Sequence, residues 1–290
     1  MYQSVVHYLN TAVGPGLFNE KLDLDEDSDT AFAAAVGLTE LAGWMAHDAG
    51  RDDLASGHFN RALRLAQTLS DASAGTNVLA GMSHLALQTG RLHEAVEIAR
   101  RGLIRLDAGP SVPGLSARVH AMEARALAQL NAARAAMQSL EAARKSLASV
   151  GTEGPSLWIA PFDEASLASE AASVLLDLGA LDIASREARR SLTLRDASRV
   201  RGRAFGQVTL TRILLAQGEL NTACSVATEL LSTSQSVMSL RLSRQLDFLQ
   251  SEFKRHCQKS DVRDLLSSMA AAAQYRKLLL GSLTLPESPH

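Results

Sequence analysis

Glu40, Trp44, His47 and Asp48 fall at i, i+4, i+7 and i+8, so on a helix they share one face, opposite an apolar stripe through Leu38, Leu41 and Met45. A carboxylate pair, an indole and an imidazole on one stripe suit stacking and charge-assisted hydrogen bonding more than covalent chemistry. His47, His84, Asp48 and Arg125 are the residues acid–base catalysis would call upon, but no nucleophile–base pair accompanies them. No GxSxG, Walker loop or dinucleotide-binding glycine pattern occurs, and no enzymatic activity is expected. His47, His84 and His120 raise the question of a metal, yet no HxxxH or HxxE pair is expected to put two ligands on one helical turn. No metal and no cofactor are expected. Cys224 and Cys257 form neither a CxxC nor a Cys/His pattern; Cys224 reads as a small interior residue, and Cys257 sits beside Lys254, Arg255 and His256.

The elements that must position these residues are helices. The chain has 290 residues, 46% hydrophobic and 21% charged, enough to bury a sizeable core. Only 4% are aromatic, and apolar residues recur at helical spacing with little strand-like alternation. The seven prolines stand at 15, 110, 113, 155, 161, 286 and 289, leaving a long proline-free interval for successive helices. With 29 basic against 31 acidic residues the net charge is −2, which disfavours a polyanion partner for the whole chain. No leader-like segment or apolar run of membrane length is seen, and the cysteine usage suits a reducing cytoplasm.

An internal repeat organises the chain. GRDDLASGHFNRAL from Gly50, GRLHEAVEIARRGL from Gly90, NAARAAMQSLEAAR from Asn131, GALDIASREARRSL from Gly179 and GELNTACSVATELL from Gly218 superpose without gaps. Each places an alanine five residues after its start, at Ala55, Ala95, Ala136, Ala184 and Ala223. The spacing leaves room for two antiparallel helices per unit. The first position must leave the preceding helix in a left-handed conformation, where Gly is best and Asn is tolerated. The alanine lies where two helices cross closely.

These residues resemble the tetratricopeptide repeat (TPR), whose pattern of Gly, Ala after five, an aromatic or aliphatic residue after nine and Ala after twelve is met by Gly50, Ala55, Phe59 and Ala62, with Gly43 seven residues before. Later units are looser, with Gly102, Ser191 and Leu230 at the last position. The resemblance implies an all-α, right-handed TPR-like solenoid of about twelve to thirteen helices. Its expected parts are an N-terminal helix at Tyr2–Asn10 and an acidic linker, together over 1–28, and five hairpins over 29–235, the first helix of which is capped by Asp27, Ser28 or Asp29. A degenerate capping hairpin over 236–280 and a disordered tail over 281–290 complete it.

A narrower resemblance rests on LTELAGWMAHDAGRDDLASGHFNRALRLA (38–66), VLAGMSHLALQTGRLHEAVEIAR (78–100), VHAMEARALAQL (119–130) and FDEASLASE (162–170). Together they look like the C-terminal sensor half of a group of actinobacterial helix-turn-helix/TPR transcriptional regulators. The helix-turn-helix itself is not expected here, because about 28 residues precede the first repeat. The repeat geometry implies a groove lined by Glu40, Trp44, His47, Asp48, Asn77, His84, Gln88, Arg118, Arg125, Gln129, Ser169, Ser173, Asp177 and Arg212. Such a groove, with one indole, two imidazoles and three guanidiniums, suits a peptide, a protein or an acidic small molecule. The alternatives are a ligand-processing enzyme or biosynthetic accessory protein using the groove, and a passive scaffold in which Trp44 packs between hairpins and the arginines pair with Glu40, Asp48, Glu123 and Asp177. The resemblance also implies a helix-turn-helix domain or partner and a homodimer, with no sequence-specific DNA binding by this chain and no membrane contact. Arg186, Arg189, Arg190, Arg195, Arg199, Arg201 and Arg203 form the densest charge cluster, read as solvated surface or a partner contact.

Overall fold

The computed structural model describes residues 26–69, 71–107, 109, 112–149 and 161–281. The expected N-terminal helix at Tyr2–Asn10, nearly all of the acidic linker and all but the first residue of the C-terminal tail lie outside them. All regular structure among the described residues is α-helical: α1 (Glu26–Asp48), α2 (Asp52–Leu65), α3 (Ala72–Gln88), α4 (Leu92–Asp107), α5 (Pro113–Gln129), α6 (Ala133–Ala148), α7 (Glu164–Asp177), α8 (Leu181–Leu194), α9 (Val200–Ala216), α10 (Leu220–Thr233), α11 (Leu240–Lys254) and α12 (Ser260–Gly281). Helix α1 starts at Glu26, so Asp27, Ser28 and Asp29 lie within its first turn and do not precede it as caps. Asp71 and Asp163 cap α3 and α7 by accepting the Ser73 and Ser166 amides at 2.8 Å, and Pro113 opens α5 where no amide is needed.

The turn between paired helices is chemically specified. Gly50, Gly90, Gly179 and Gly218 have φ between 72° and 78°, and Asn131 takes the same left-handed region at 58°. At Gly50 the glycine amide donates to His47 and the next amide, of Arg51, to Ala46 at 2.9 Å; Gly90, Asn131 and Gly218 repeat both bonds. This double closure satisfies carbonyls that a helix end would otherwise leave exposed. The alanines five residues on, Ala55, Ala95, Ala136, Ala184 and Ala223, are all fully buried.

The chain divides into two compact units, 1–178 and 179–290. In the first, α1 packs on α2, α3 on α4 and α5 on α6, while α1, α3, α5 and α7 also pack on one another in succession. Phe59 is the plug of the first hairpin: it has no exposed surface, and a Cβ on Gly43 or Gly81 would sit 3.0 or 3.2 Å from its ring. The core continues through Leu79, Leu87, Met122, Leu127, Leu140 and Val174. In the second unit α8 packs on α9, α9 on α10 and on α11, and α12 on α10 and α11. Leu214, Leu230, Leu242, Leu246, Leu249 and Phe253 are buried there.

Candidate functional site

Helix α1 turns its polar side inward. Glu40 and His47 are 6% and 3% exposed, whereas Leu41 is 46% exposed. The expected packed stripe through Leu38, Leu41 and Met45 is therefore corrected: the buried residues of α1 are Ala35, Val36, Thr39, Ala42, Gly43 and Ala46 together with Glu40 and His47. Small residues at these positions bring the helices close, so a carboxylate between them must be fully hydrogen-bonded. It is. The Trp44 indole donates to Glu40 Oε1 at 3.1 Å and the Asn77 amide donates to Glu40 Oε2 at 2.6 Å. Arg118 in turn donates to Asn77 Oδ1. A polar chain thus runs from α1 through α3 to α5, with a guanidinium at its half-buried end.

The ring of Trp44 is edge-on to Phe59 at 5.4 Å between centroids and tilted against His84 at 5.3 Å. His47 lies 6.0 Å from His84, and its Nδ1 is 2.6 Å from Asp52 Oδ1. Gly81 makes the room: a Cβ there would stand 3.3 Å from Trp44 and 3.6 Å from Glu40 Oε1. Trp44, Asp48, His84 and Arg118 are half-buried and Gln88 is exposed. The structure therefore brings Glu40, Trp44, His47, Asn77, His84 and Arg118 into one cluster.

Arg125 belongs elsewhere. Its Nη1 is 2.5 Å from Glu170 Oε2, tying α5 to α7, and its side chain is only 13% exposed. Gln129 is exposed; Ser169, Ser173 and Asp177 are half-buried on α7, with the Ser173 hydroxyl donating to the Ser169 carbonyl at 3.2 Å. Arg118 and Arg125 thus take Asn77 and Glu170 as partners, and not the Glu40, Asp48, Glu123 and Asp177 that the passive-scaffold alternative assigns to the arginines. Arg212 lies in the second unit, over the Phe248 ring at 5.5 Å.

A knot on α5 escaped the sequence reading. Glu123 Oε1 accepts from Arg100 Nε at 2.8 Å and Oε2 from the Ser139 hydroxyl at 2.9 Å, with His120 one turn earlier. Burial pushes the Glu123 carboxyl up, but His120, Arg100 and Ser139 together outweigh it and bring it down to about 2. The visible signal was the HxxE pair His120–Glu123, which contradicts the expectation that no HxxE pair stands on one helical turn. Cys224 is buried, which pushes its thiol up, and Cys257 is exposed in the turn after α11. No group of three His, Cys, Asp or Glu among the described residues is placed to hold a metal, and no helix among them is long and apolar enough to cross a membrane.

No protein-family model matches the chain, and no curated protein matches it. Solved structures do. BtubC (BKLC) from P. vanneervenii is 16% identical, with a TM-score of 0.52, over 80% of this chain and 89% of that one. TPR-like repeats of a putative kinesin light chain from Podosopora anserina are 17% identical, with a TM-score of 0.49, over 71% and 98%. A tetratricopeptide repeat protein from Parabacteroides merdae is 14% identical, with a TM-score of 0.41, over 93% and 98%. The first likeness shows the fold alone. With the positive-φ turns and buried alanines, the chain has an all-α, TPR-like solenoid fold.

Proposed function

We propose that the first unit is a regulatory binding module whose site lies along α1, α3 and α5, taking a peptide, a protein segment or a small acidic molecule. Stacked helical repeats commonly present such a row of helices as an extended binding surface. The observation that carries the reading is the chain from Trp44 through Glu40 and Asn77 to Arg118: it holds a guanidinium and an indole in place before any ligand arrives. Arg118 would take the ligand's carboxylate while Trp44 and His84 cover an apolar part, with Asp48, Gln88 and Gln129 at the rim. Ser169, Ser173 and Asp177 would extend the site along α7. The four phrases at 38–66, 78–100, 119–130 and 162–170 support a relation to the sensor half of actinobacterial regulators. On that reading, occupancy signals to a helix-turn-helix domain or partner, or through dimer contacts, and the chain works in the cytoplasm as a binder and not a catalyst.

The test uses fluorescence. Trp158 is the second tryptophan, so a Trp158→Phe variant reports Trp44 alone. Titrating it with peptides that pair one aromatic residue with one Glu should shift the Trp44 emission, and Arg118→Gln should weaken binding at least tenfold, roughly the value of a charged hydrogen bond. An emission unmoved by every peptide would place recognition on another surface.

A further inference from the structure

We propose that the second unit holds a separate cleft, between α8 and α10, for a small aliphatic zwitterion: an amino acid, or a dipeptide with free ends. Helices α8 and α10 each pack on α9 and not on one another, so a gap opens between them with α9 as its floor. The gap measures about 600 Å³, within the range of about 300–1,000 Å³ usual for small-molecule sites. Its floor carries Gln207, which is 1% exposed and accepts the Thr233 hydroxyl at Oε1, 3.1 Å away. Gln207 Nε2 donates to no group among the described residues, although a buried amide is ordinarily satisfied at both its oxygen and its nitrogen. An amide donor at the bottom of a cleft suits a ligand that brings an acceptor.

The walls supply the rest of the recognition. On α8, Arg189 lines the cleft, is exposed, and makes no side-chain hydrogen bond or ion pair among the described residues. With Gln207 Nε2 it offers the donors for a carboxylate. On α10, the Glu229 side chain is 56% exposed and its carboxylate accepts no hydrogen bond among the described residues; Arg203 Nη2 stands 4.0 Å from its Oε1, beyond hydrogen-bond reach. Arg203 is itself occupied, with Nη1 on the Leu192 and Arg195 carbonyls at 2.9 and 3.2 Å, so it lends the cleft charge without having to bind. Glu229 is therefore open to an ammonium. Leu192, Leu210 and Val226 complete the lining with an apolar patch for aliphatic side chains. A nucleotide fits less well, because Glu229 opposes a multiply charged anion and the lining offers no ring on which a base would stack. Carboxylate, ammonium and aliphatic body are the three features these residues satisfy together.

The experiment is isothermal titration of the full chain with L-leucine and with the dipeptide Leu-Leu. Each is set beside a form without the ammonium (isocaproate; N-acetyl-Leu-Leu), a form without the carboxylate (the C-terminal amide) and one without side chains (glycine; Gly-Gly). The expected result is saturable binding of L-leucine or Leu-Leu, the tighter of the two naming the source, with each stripped form at least tenfold weaker. Arg189→Gln should weaken the intact ligand at least tenfold and abolish its advantage over the amide. Glu229→Gln should do the same and abolish its advantage over the form that lacks the ammonium. Both positions are exposed, so these variants keep the fold; Gln207→Leu, which removes the floor donor, should weaken binding too, with a melting curve as its folding control. Arg244→Gln, at an exposed position of α11 outside the cleft, should bind as the wild type does. No saturable binding, a stripped form as tight as the intact one, wild-type affinity in Arg189→Gln or Glu229→Gln or in a folded Gln207→Leu, or an equal loss in Arg244→Gln would each overturn the proposal. Because the cleft shares no residue with the site on α1, α3 and α5, failure here leaves that reading standing, and the reverse holds.

Discussion

At the level of single residues, the buried groups show what each side chain contributes. Ala55 has no exposed surface at the crossing of two helices, so Ala55→Leu must push α2 away and should cost about 1–3 kcal/mol in urea unfolding, with helix content retained. Glu123 gives a pH signature. Its carboxyl is depressed in the folded chain from 4.5 to about 2, so its stabilisation is fully present above pH 4.5 and is lost as pH falls towards 2. Arg100 is largely exposed, so screening reduces the effect to roughly 1–2 kcal/mol. Stability measured against pH should fall over this window in the wild type and be flatter in Glu123→Gln. Arg125→Ala should destabilise, because Glu170 is left half-buried beside α5 without its counter-charge.

The helices and their turns show which patterns are legible and which are not. The Gly-to-Ala spacing was readable because both ends answer to backbone geometry: a left-handed residue, then a close crossing, as at Asn131 and Ala136. Two glycines test this with opposite signs. Gly57, inside α2 with nothing within 4 Å of where an added methyl would stand, should stabilise as Gly57→Ala by about 0.5–1 kcal/mol; Gly90→Ala, at φ 78°, should destabilise by about 1 kcal/mol. Thermal melts of the two variants decide it. The face of α1 was misread for a physical reason. Hydrophobic periodicity assumes that the polar side meets water, but Glu40 is held by Trp44 and by Asn77, a residue 37 positions away that no local pattern reveals. The contact of Arg212 on α9 with Phe248 on α11 was hidden likewise, joining residues 36 apart in sequence.

For the whole molecule, the repeat spacing suggested an uninterrupted array, whereas the chain forms two units that part at Leu178 and Gly179, inside the expected fourth hairpin. Even the dense arginine cluster is partly absorbed by structure: Arg203 donates to the Leu192 and Arg195 carbonyls at the end of α8. The central claim is that the Trp44–Glu40–Asn77–Arg118 chain organises a ligand site in the first unit. Its most direct test is native mass spectrometry of the full chain purified under mild conditions, wild type beside Arg118→Gln, with melting curves for both. The account predicts a bound peptide or small acid on the wild type and at least tenfold lower occupancy in the variant, at comparable melting temperature. A wild type that carries nothing, or equal occupancy in the two proteins, would contradict it.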